Sequence, residues 1–267
     1  MERLKEIERS IIKKYRKEIW SKYVKGVKEF EMIKENDKIA VCISGGKDSF
    51  LLAKCMQELL RHKKFHYELE FIVMNPGYNE ENIIKIKENL KILGIDAHIF
   101  DTPIFDVADK TDNPCYLCAR MRRGYLYSYA QKLGCNKIAL GHHFDDVIET
   151  ILMNILYTGN YASMMPKLHS DNFEGMELIR PLYFVREKDI KSWAKYNGLE
   201  FIDCACSVTK KKIGKRQEVK ELVQKLNEMY KEADKCIFAS SFNVNLNTVI
   251  GYKKGNDKHT FMDDYDM

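Results

Sequence analysis

The run Ile39-Ala40-Val41-Cys42-Ile43, followed without a break by Ser44-Gly45-Gly46-Lys47-Asp48-Ser49, restricts what this chain can fold into more than any other stretch. The apolar, largely β-branched run reads as a buried strand. Leu52, Cys55, Met56 and Leu59 then recur at i, i+3, i+4 and i+7, the spacing of a helix buried on one face. The residues between must therefore turn tightly from a strand into a helix N-terminus. Two glycines let the backbone come close to a ligand, and the Ser44 and Ser49 hydroxyls stand where the first unpaired helix amides point outward. Such a turn cradles an anion. It is not a Walker A loop, which needs a glycine where Val41 stands. A Gly-Gly turn capped by serine and aspartate with no ligand is the plainer alternative.

The same rhythm repeats. Tyr67 to Met74 reads as a second buried strand closed by Asn75-Pro76-Gly77, Asn79 to Leu93 as a helix stopped by Gly94, and Ile95 to Phe100 as a third strand. Lys137 to Leu140 makes a fourth and Glu177 to Phe184 a fifth, while Thr158 to Gly175 reads as a loop. Strands alternating with helices predict an α/β fold, a parallel five-stranded sheet flanked by helices. In such folds the ligand sits beyond the carboxyl ends of the strands, where residues 44–49 lie. Residues 1–35 add an amphipathic helical extension, in two pieces broken near Gly26. Its pattern fits packing on the domain, on a second subunit in a homodimer, or on RNA. The main domain is expected over 36–230, and a C-terminal helix with a frayed acidic tail over 231–267.

With 267 residues, 45% hydrophobic and 31% charged, the chain has material for one sizeable core. No apolar run approaches the roughly 18 residues of a membrane span, and Met-Glu-Arg-Leu-Lys-Glu lacks the apolar centre of a signal peptide. The expectation is a cytoplasmic protein with no membrane contact. The net charge of +5 is compatible with a polyanion partner. Arg120, Arg122 and Arg123 follow one cysteine pair, and Lys210, Lys211, Lys212, Lys215 and Arg216 follow another. A solvated face explains either cluster taken alone.

Eight cysteines in such a compartment are not four disulfides. Cys42, Cys55, Cys135 and Cys236 stand singly and read as small packed side chains. Cys115 and Cys118, three apart at a helix start, can face one point in space, and the nearby arginines favour thiolates. A redox pair, half a zinc site and part of an iron–sulfur site all remain open. After the fourth strand, Gly141-His142-His143-Phe144-Asp145-Asp146 leads into a helix buried through Ile148, Ile151, Leu152 and Ile155. Its first-turn carboxylates, Asp145 and Asp146, can hold Mg²⁺ or position a nucleophile. Compensation of the helix dipole, worth about 0.3–1 kcal/mol, explains one of them. It does not explain Gly-His-His.

Ser-Gly-Gly-Lys-Asp-Ser resembles the PP-loop of the N-type ATP pyrophosphatases. Three more stretches join it: Cys-Tyr-Leu-Cys-Ala-Arg-Met-Arg-Arg-Gly at 115–124, Ile-Ala-Leu-Gly-His-His-Phe-Asp-Asp at 138–146, and Arg-Pro-Leu-Tyr-Phe-Val-Arg-Glu-Lys-Asp-Ile at 180–190. Together, over about residues 35 to 225, they resemble the TtcA-type tRNA thiolation enzymes. The resemblance implies an adenine nucleotide alpha hydrolase-like fold and conversion of cytidine in tRNA to 2-thiocytidine. It implies ATP held by Ser44, Gly45, Gly46, Lys47, Asp48 and Ser49, with Met74, Gly141 and Asp146 bounding the nucleotide. Lys47, Arg122, Asp145 and Asp146 would be catalytic, with Mg²⁺ on the aspartates. A 4Fe-4S cluster would take Cys115, Cys118 and a third ligand from Cys204 or Cys206, Cys204 being favoured. Here the chain has Cys-Ala-Cys-Ser-Val where the family has Cys-x-x-Cys followed by Gly-Ser-Gln. Sulfide or a cysteine desulfurase persulfide would donate the sulfur. The alternatives are a lysidine synthetase-like or amidotransferase enzyme using the same loop, and a zinc-stabilised RNA-binding module.

Overall fold

Alternating side chains of the central strands are buried on both faces, so helices must cover both. A computed structural model describes residues 2–62, 66–108, 114–202 and 214–265. The N-terminal region forms α1 (Glu2–Ile12), a π-type segment (Arg16–Trp20) and α2 (Ser21–Glu29). Then come β1 (Lys38–Ile43), α3 (Lys47–Arg61), β2 (Glu68–Asn75), α4 (Glu80–Ile92), β3 (His98–Asp101) and a short α5 (Ile104–Ala108). The second half carries α6 (Pro114–Lys132), β4 (Lys137–Ala139), α7 (Phe144–Thr158), β5 (Lys167–His169), β6 (Glu177–Ile179) and α8 (Glu187–Tyr196). The chain closes with α9 (Lys215–Met229), α10 (Ala233–Ser240) and a hairpin of β7 (Gly251–Lys254) and β8 (Asp257–Thr260).

The sheet has the order β3-β2-β1-β4-β6-β5. All its pairs are parallel except β5 with β6. It has six strands rather than five, because Lys167–His169 pairs antiparallel with β6 from inside the stretch read as a loop. Three residues without an apolar run leave no periodic signal. The order reverses between β1 and β4, and that switch point opens a crevice at the carboxyl edge.

Ala40, Cys42, Ile72, Ile138 and Leu178 face Tyr127 and Ala130 of α6. Ile39, Val41, Ile43, Val73 and Ile179 face α3, α7 and α8 through Phe50, Leu52, Val147, Ile190 and Trp193. The N-terminal helices belong to this second layer, with Ile7, Ile11, Tyr15, Ile19, Tyr23 and Val27 buried in it. Their apolar stripe is thus covered by this chain's own core. Trp193 Nε1 donates to Ser10 Oγ at 3.1 Å, and Lys54, 1% exposed, sends Nζ to Glu8 Oε1 at 2.7 Å and to the Leu93 carbonyl at 2.8 Å. The break between the two pieces falls at Lys13–Tyr15, not at Gly26, which lies inside α2 against Pro181 and Phe184. Among the described residues no helix is long and apolar enough to cross a membrane.

One buried cation fixes β4. Lys137, 2% exposed, places Nζ 2.8 Å from Asp37, 2.9 Å from Glu177 and 3.1 Å from the Met32 carbonyl. Removing it leaves the buried Asp37 carboxylate and the half-buried Glu177 carboxylate without their shared cation. Lys137→Met is expected to lower unfolding stability by about 3–5 kcal/mol, read as a shift of the urea midpoint with unchanged slope.

Candidate functional site

The turn after β1 is tied by its own serines. Ser44 N donates to Ser49 Oγ at 3.1 Å, and that hydroxyl donates to the Gly46 carbonyl at 2.8 Å. Gly45 has φ +90°, and a Cβ there would stand 2.5 Å from Ile202 Cδ1, so only glycine fits under that side chain. The turn after β4 comes to meet it: a Cβ on Gly141 would be 3.0 Å from the backbone of Asp48 and Ser49. Between the two turns lies a cavity of about 510 Å³, in the size range of small-molecule sites.

Ser44, Asp48, Ser49, Met74, Arg122, Gly141 and Asp146 all line it. The remaining predicted residues of the loop point elsewhere. Gly46 and Lys47 line a neighbouring cavity of about 630 Å³ with Lys191 and Lys195. Asp145 turns toward α8, accepting from Glu187 N at 2.7 Å and pairing with Arg186 at 3.3 Å. Sequence reasoning missed Tyr78, whose hydroxyl donates to the Ser44 carbonyl at 3.1 Å. It also missed Glu187, and it left His142 without a role. Tyr78 sits in a turn with no motif, and only its place two residues after Pro76 hinted at the sheet's ligand edge.

Charge around the loop is tightly balanced. Lys47 Nζ lies 3.1 Å from Asp48 and 3.2 Å from Glu187. Glu187 also takes Lys191 at 3.1 Å and Lys220 at 2.6 Å. Burial alone would raise its carboxyl, but hydrogen bonds from Lys220 and Lys191 and the charge of Lys47 hold it down at about 2. Asp146 accepts from His143 N at 2.8 Å while His143 caps α7 in return, a reciprocal box that fixes the first turn. Its other oxygen meets Arg216 at 2.6 Å, and Arg216 reaches on to Glu149 at 2.7 Å. Against the effect of burial, the His143 and Arg216 charges lower the Asp146 carboxyl.

Asp48 Oδ1, Arg122 Nε and His142 Nδ1, all on residues lining the cavity, are buried without a hydrogen-bond partner among the described residues. Unpaired polar atoms converging on one cavity mark a place for a polar ligand. Loop amides and hydroxyls for phosphates, an arginine, and a carboxylate able to take a divalent cation suit a nucleoside triphosphate.

Cys118 is half-buried near the start of α6. Arg122, one helical turn further on the same face, lines the cavity, whereas Arg120 and Arg123 are exposed. The side chain of Cys115 lies outside the described residues, as do Cys204, Cys206 and Lys210 to Lys212. Ile202, the last described residue before them, covers Gly45.

Fold and loop together define a PP-loop protein, and residues 15–226 match the PP-loop domain family. A tRNA-cytidine(32) 2-sulfurtransferase of Syntrophotalea carbinolica is 39% identical over 208 residues, covering 76% of this chain and 80% of the relative. Another from Citrifermentans bemidjiense is 36% identical over 225 residues, 82% of this chain and 88% of that one. Among solved structures, the U34-tRNA thiolase NcsA from Methanococcus maripaludis, with its 4Fe-4S cluster, superposes at TM-score 0.66 and 23% identity, covering 88% of this chain and 80% of that chain. That likeness concerns the fold. By its identity to the curated relatives, the chain belongs to the tRNA-cytidine(32) 2-sulfurtransferase family of PP-loop proteins.

Burial depresses the His142 imidazole to about 4. Between the ordinary 6.5 and that value the unfolded chain takes up a proton that the folded chain refuses. Stability therefore falls as pH drops from 6.5 toward 4 and levels off below. His142→Gln is expected to flatten this fall, measured as urea midpoints at pH 7, 5.5 and 4.5; equal slopes in the two proteins would contradict it.

Proposed function

We propose that this chain is an ATP-dependent tRNA sulfurtransferase that adenylates the C2 oxygen of a cytidine and replaces it with sulfur. One observation carries the reading: the PP-loop and the helix opening with Cys115-x-x-Cys118 wall the same cavity, through Ser44 and Ser49 on one side and Arg122 on the other. Family membership supplies the substrate class, since the curated relatives are tRNA-cytidine(32) 2-sulfurtransferases.

In this reading the amides of Gly45 and Gly46, the Ser44 and Ser49 hydroxyls and the Lys47 ammonium hold the β- and γ-phosphates of ATP, with Asp48 orienting Lys47. Met74 and Gly141 bound the nucleotide, and Asp146, with Asp145 behind it, holds Mg²⁺. The base oxygen attacks the α-phosphorus and pyrophosphate leaves; sulfur then attacks C2, the C2–O bond breaks, and AMP departs with the original oxygen. Arg122, on the cavity wall, offsets the negative charge that develops at the phosphorus, with Lys47 adding positive charge from the adjoining cavity across Asp48. Leu126 and Leu140, which also line the cavity, keep water from the activated base.

Cys115, Cys118 and Cys204, with Cys206 as the alternative third ligand, are assigned to a 4Fe-4S cluster. Cys118 fits that role by position, one turn from the arginine on the cavity wall. NcsA, of the same fold, carries such a cluster. Held by these three thiolates, such a cluster would supply Lewis-acid iron to bind and deliver sulfur. Sulfide is the donor in this scheme, supplied as such or released from a cysteine desulfurase persulfide by two electrons from a cellular thiol, and the cytoplasm is the compartment.

Mutants separate the two halves of the reaction. Cys118→Ala is expected to keep tRNA-dependent pyrophosphate release while losing cluster absorbance and 2-thiocytidine, followed by mass spectrometry of tRNA nucleosides. Lys47→Ala should keep the cluster and lose pyrophosphate release by about 10²-fold or more. Undiminished 2-thiocytidine from the Cys118 variant would overturn the proposal.

A further inference from the structure

The family match ends at residue 226, and the chain beyond it adds α10 and the β7–β8 hairpin. α10 is firmly seated. It packs on α7 and α9, Asp234 pairs with Arg186, and Phe238 stacks on Phe144 with ring centroids 4.4 Å apart. The hairpin is different in kind. β7 pairs only with β8, as a sheet of its own, and within residues 251–260 every one but His259 is exposed. An isolated two-stranded ribbon is marginal in water, so its surface chemistry is the place to look for its use.

The register sets Tyr252 opposite His259, Lys253 opposite Lys258 and Lys254 opposite Asp257. Side chains alternate between the two faces of a ribbon. One face therefore carries Lys253 directly across from Lys258. The other carries Tyr252 against His259, rings stacked at 4.7 Å and 14°, with Lys254 and Asp257 beside them. Like charges placed directly across a ribbon destabilise it. Neither Lys253 nor Lys258 has a carboxylate partner among the described residues. The nearby Asp263 is occupied as a cap, accepting from Thr260 N at 2.6 Å. A bound polyanion would offset the lysine repulsion, and the Tyr252 side of the ribbon adds an aromatic platform for a planar base.

We propose that the β7–β8 ribbon is an RNA-contacting arm. Lys253 and Lys258 take the sugar–phosphate backbone of tRNA, and the Tyr252–His259 stack meets an unpaired base. This rests on the tRNA reading above and extends it by naming a contact surface outside the matched family region. α10 carries the arm from the side of α7 and α9, the helices that bring Asp146 and Arg216 to the cavity.

The test measures tRNA binding by the full-length chain through fluorescence anisotropy across a potassium chloride series. The Lys253→Gln/Lys258→Gln variant is expected to bind more weakly at low salt, with a log–log salt dependence shallower by about two. Lys253→Arg/Lys258→Arg should keep the wild-type slope. Melting temperature in the glutamine variant should not fall, because the pair removed is repulsive, and ATP binding should be unchanged. A glutamine variant with wild-type affinity and slope overturns the proposal. So does retained tRNA affinity with loss of a self-association seen in the wild type, which would give the ribbon to a second copy of the chain. A wild-type chain that binds no tRNA at all fails at an earlier step, overturning the sulfurtransferase reading and the arm with it.

Discussion

Two turns leaving neighbouring strands meet at Gly141, so close to the backbone of Asp48 and Ser49 that a methyl group would not fit without displacement. The rest of the site depends on that contact. β1 and β4 run parallel and in register, Val41 beside Ala139, so their carboxyl ends deliver both turns to the same edge. The missing side chain lets the turns close together, and the hydroxyls of one then face the carboxylate of the other across a single cavity. Any side chain at 141 would push the turns apart before it touched a ligand.

Around that contact the protein supplies its own counter-charges. Three ammoniums converge on the Glu187 carboxylate, and Arg216 bridges Asp146 and Glu149. With Lys47, Lys191 and Lys220 set against Glu187, positive charge remains in excess beside the N-terminus of α3, where the helix dipole adds to it. The site is thus organised for anions before one arrives, which limits reorganisation during the reaction.

Much of this was legible in the sequence. The strand–glycine–helix signature located the loop, because strict apolar spacing on both sides left one geometry for the turn. Met74, Gly141 and Asp146, which the family resemblance singled out, line one cavity. The misses share a cause. β5 is three residues long and takes its identity from its pairing with β6 rather than from periodicity. The break in the N-terminal helix lies at a π-type distortion near Tyr15, while Gly26, the obvious breaker, stays inside α2 beside Phe184. Glu187 and Tyr78 gained roles from partners that are distant along the chain, which no local pattern encodes. The hairpin at 251–260 lacks apolar alternation, so nothing in its composition announced strands.

The salt link under α1 also has a mechanical side. Glu8 reaches Lys54, midway along α3, and Arg61, the last residue of the same helix, so α1 grips the rod whose tip bears the Ser44–Ser49 turn. Fifteen residues of α-helix form a lever about 22 Å long, and a lever clamped along its shaft gives a steady tip. The leading residues, far from the cavity, therefore serve as the tailstock of that rod, and because Ile7 and Ile11 are also core residues, shortening the chain at that end would loosen core and rod together.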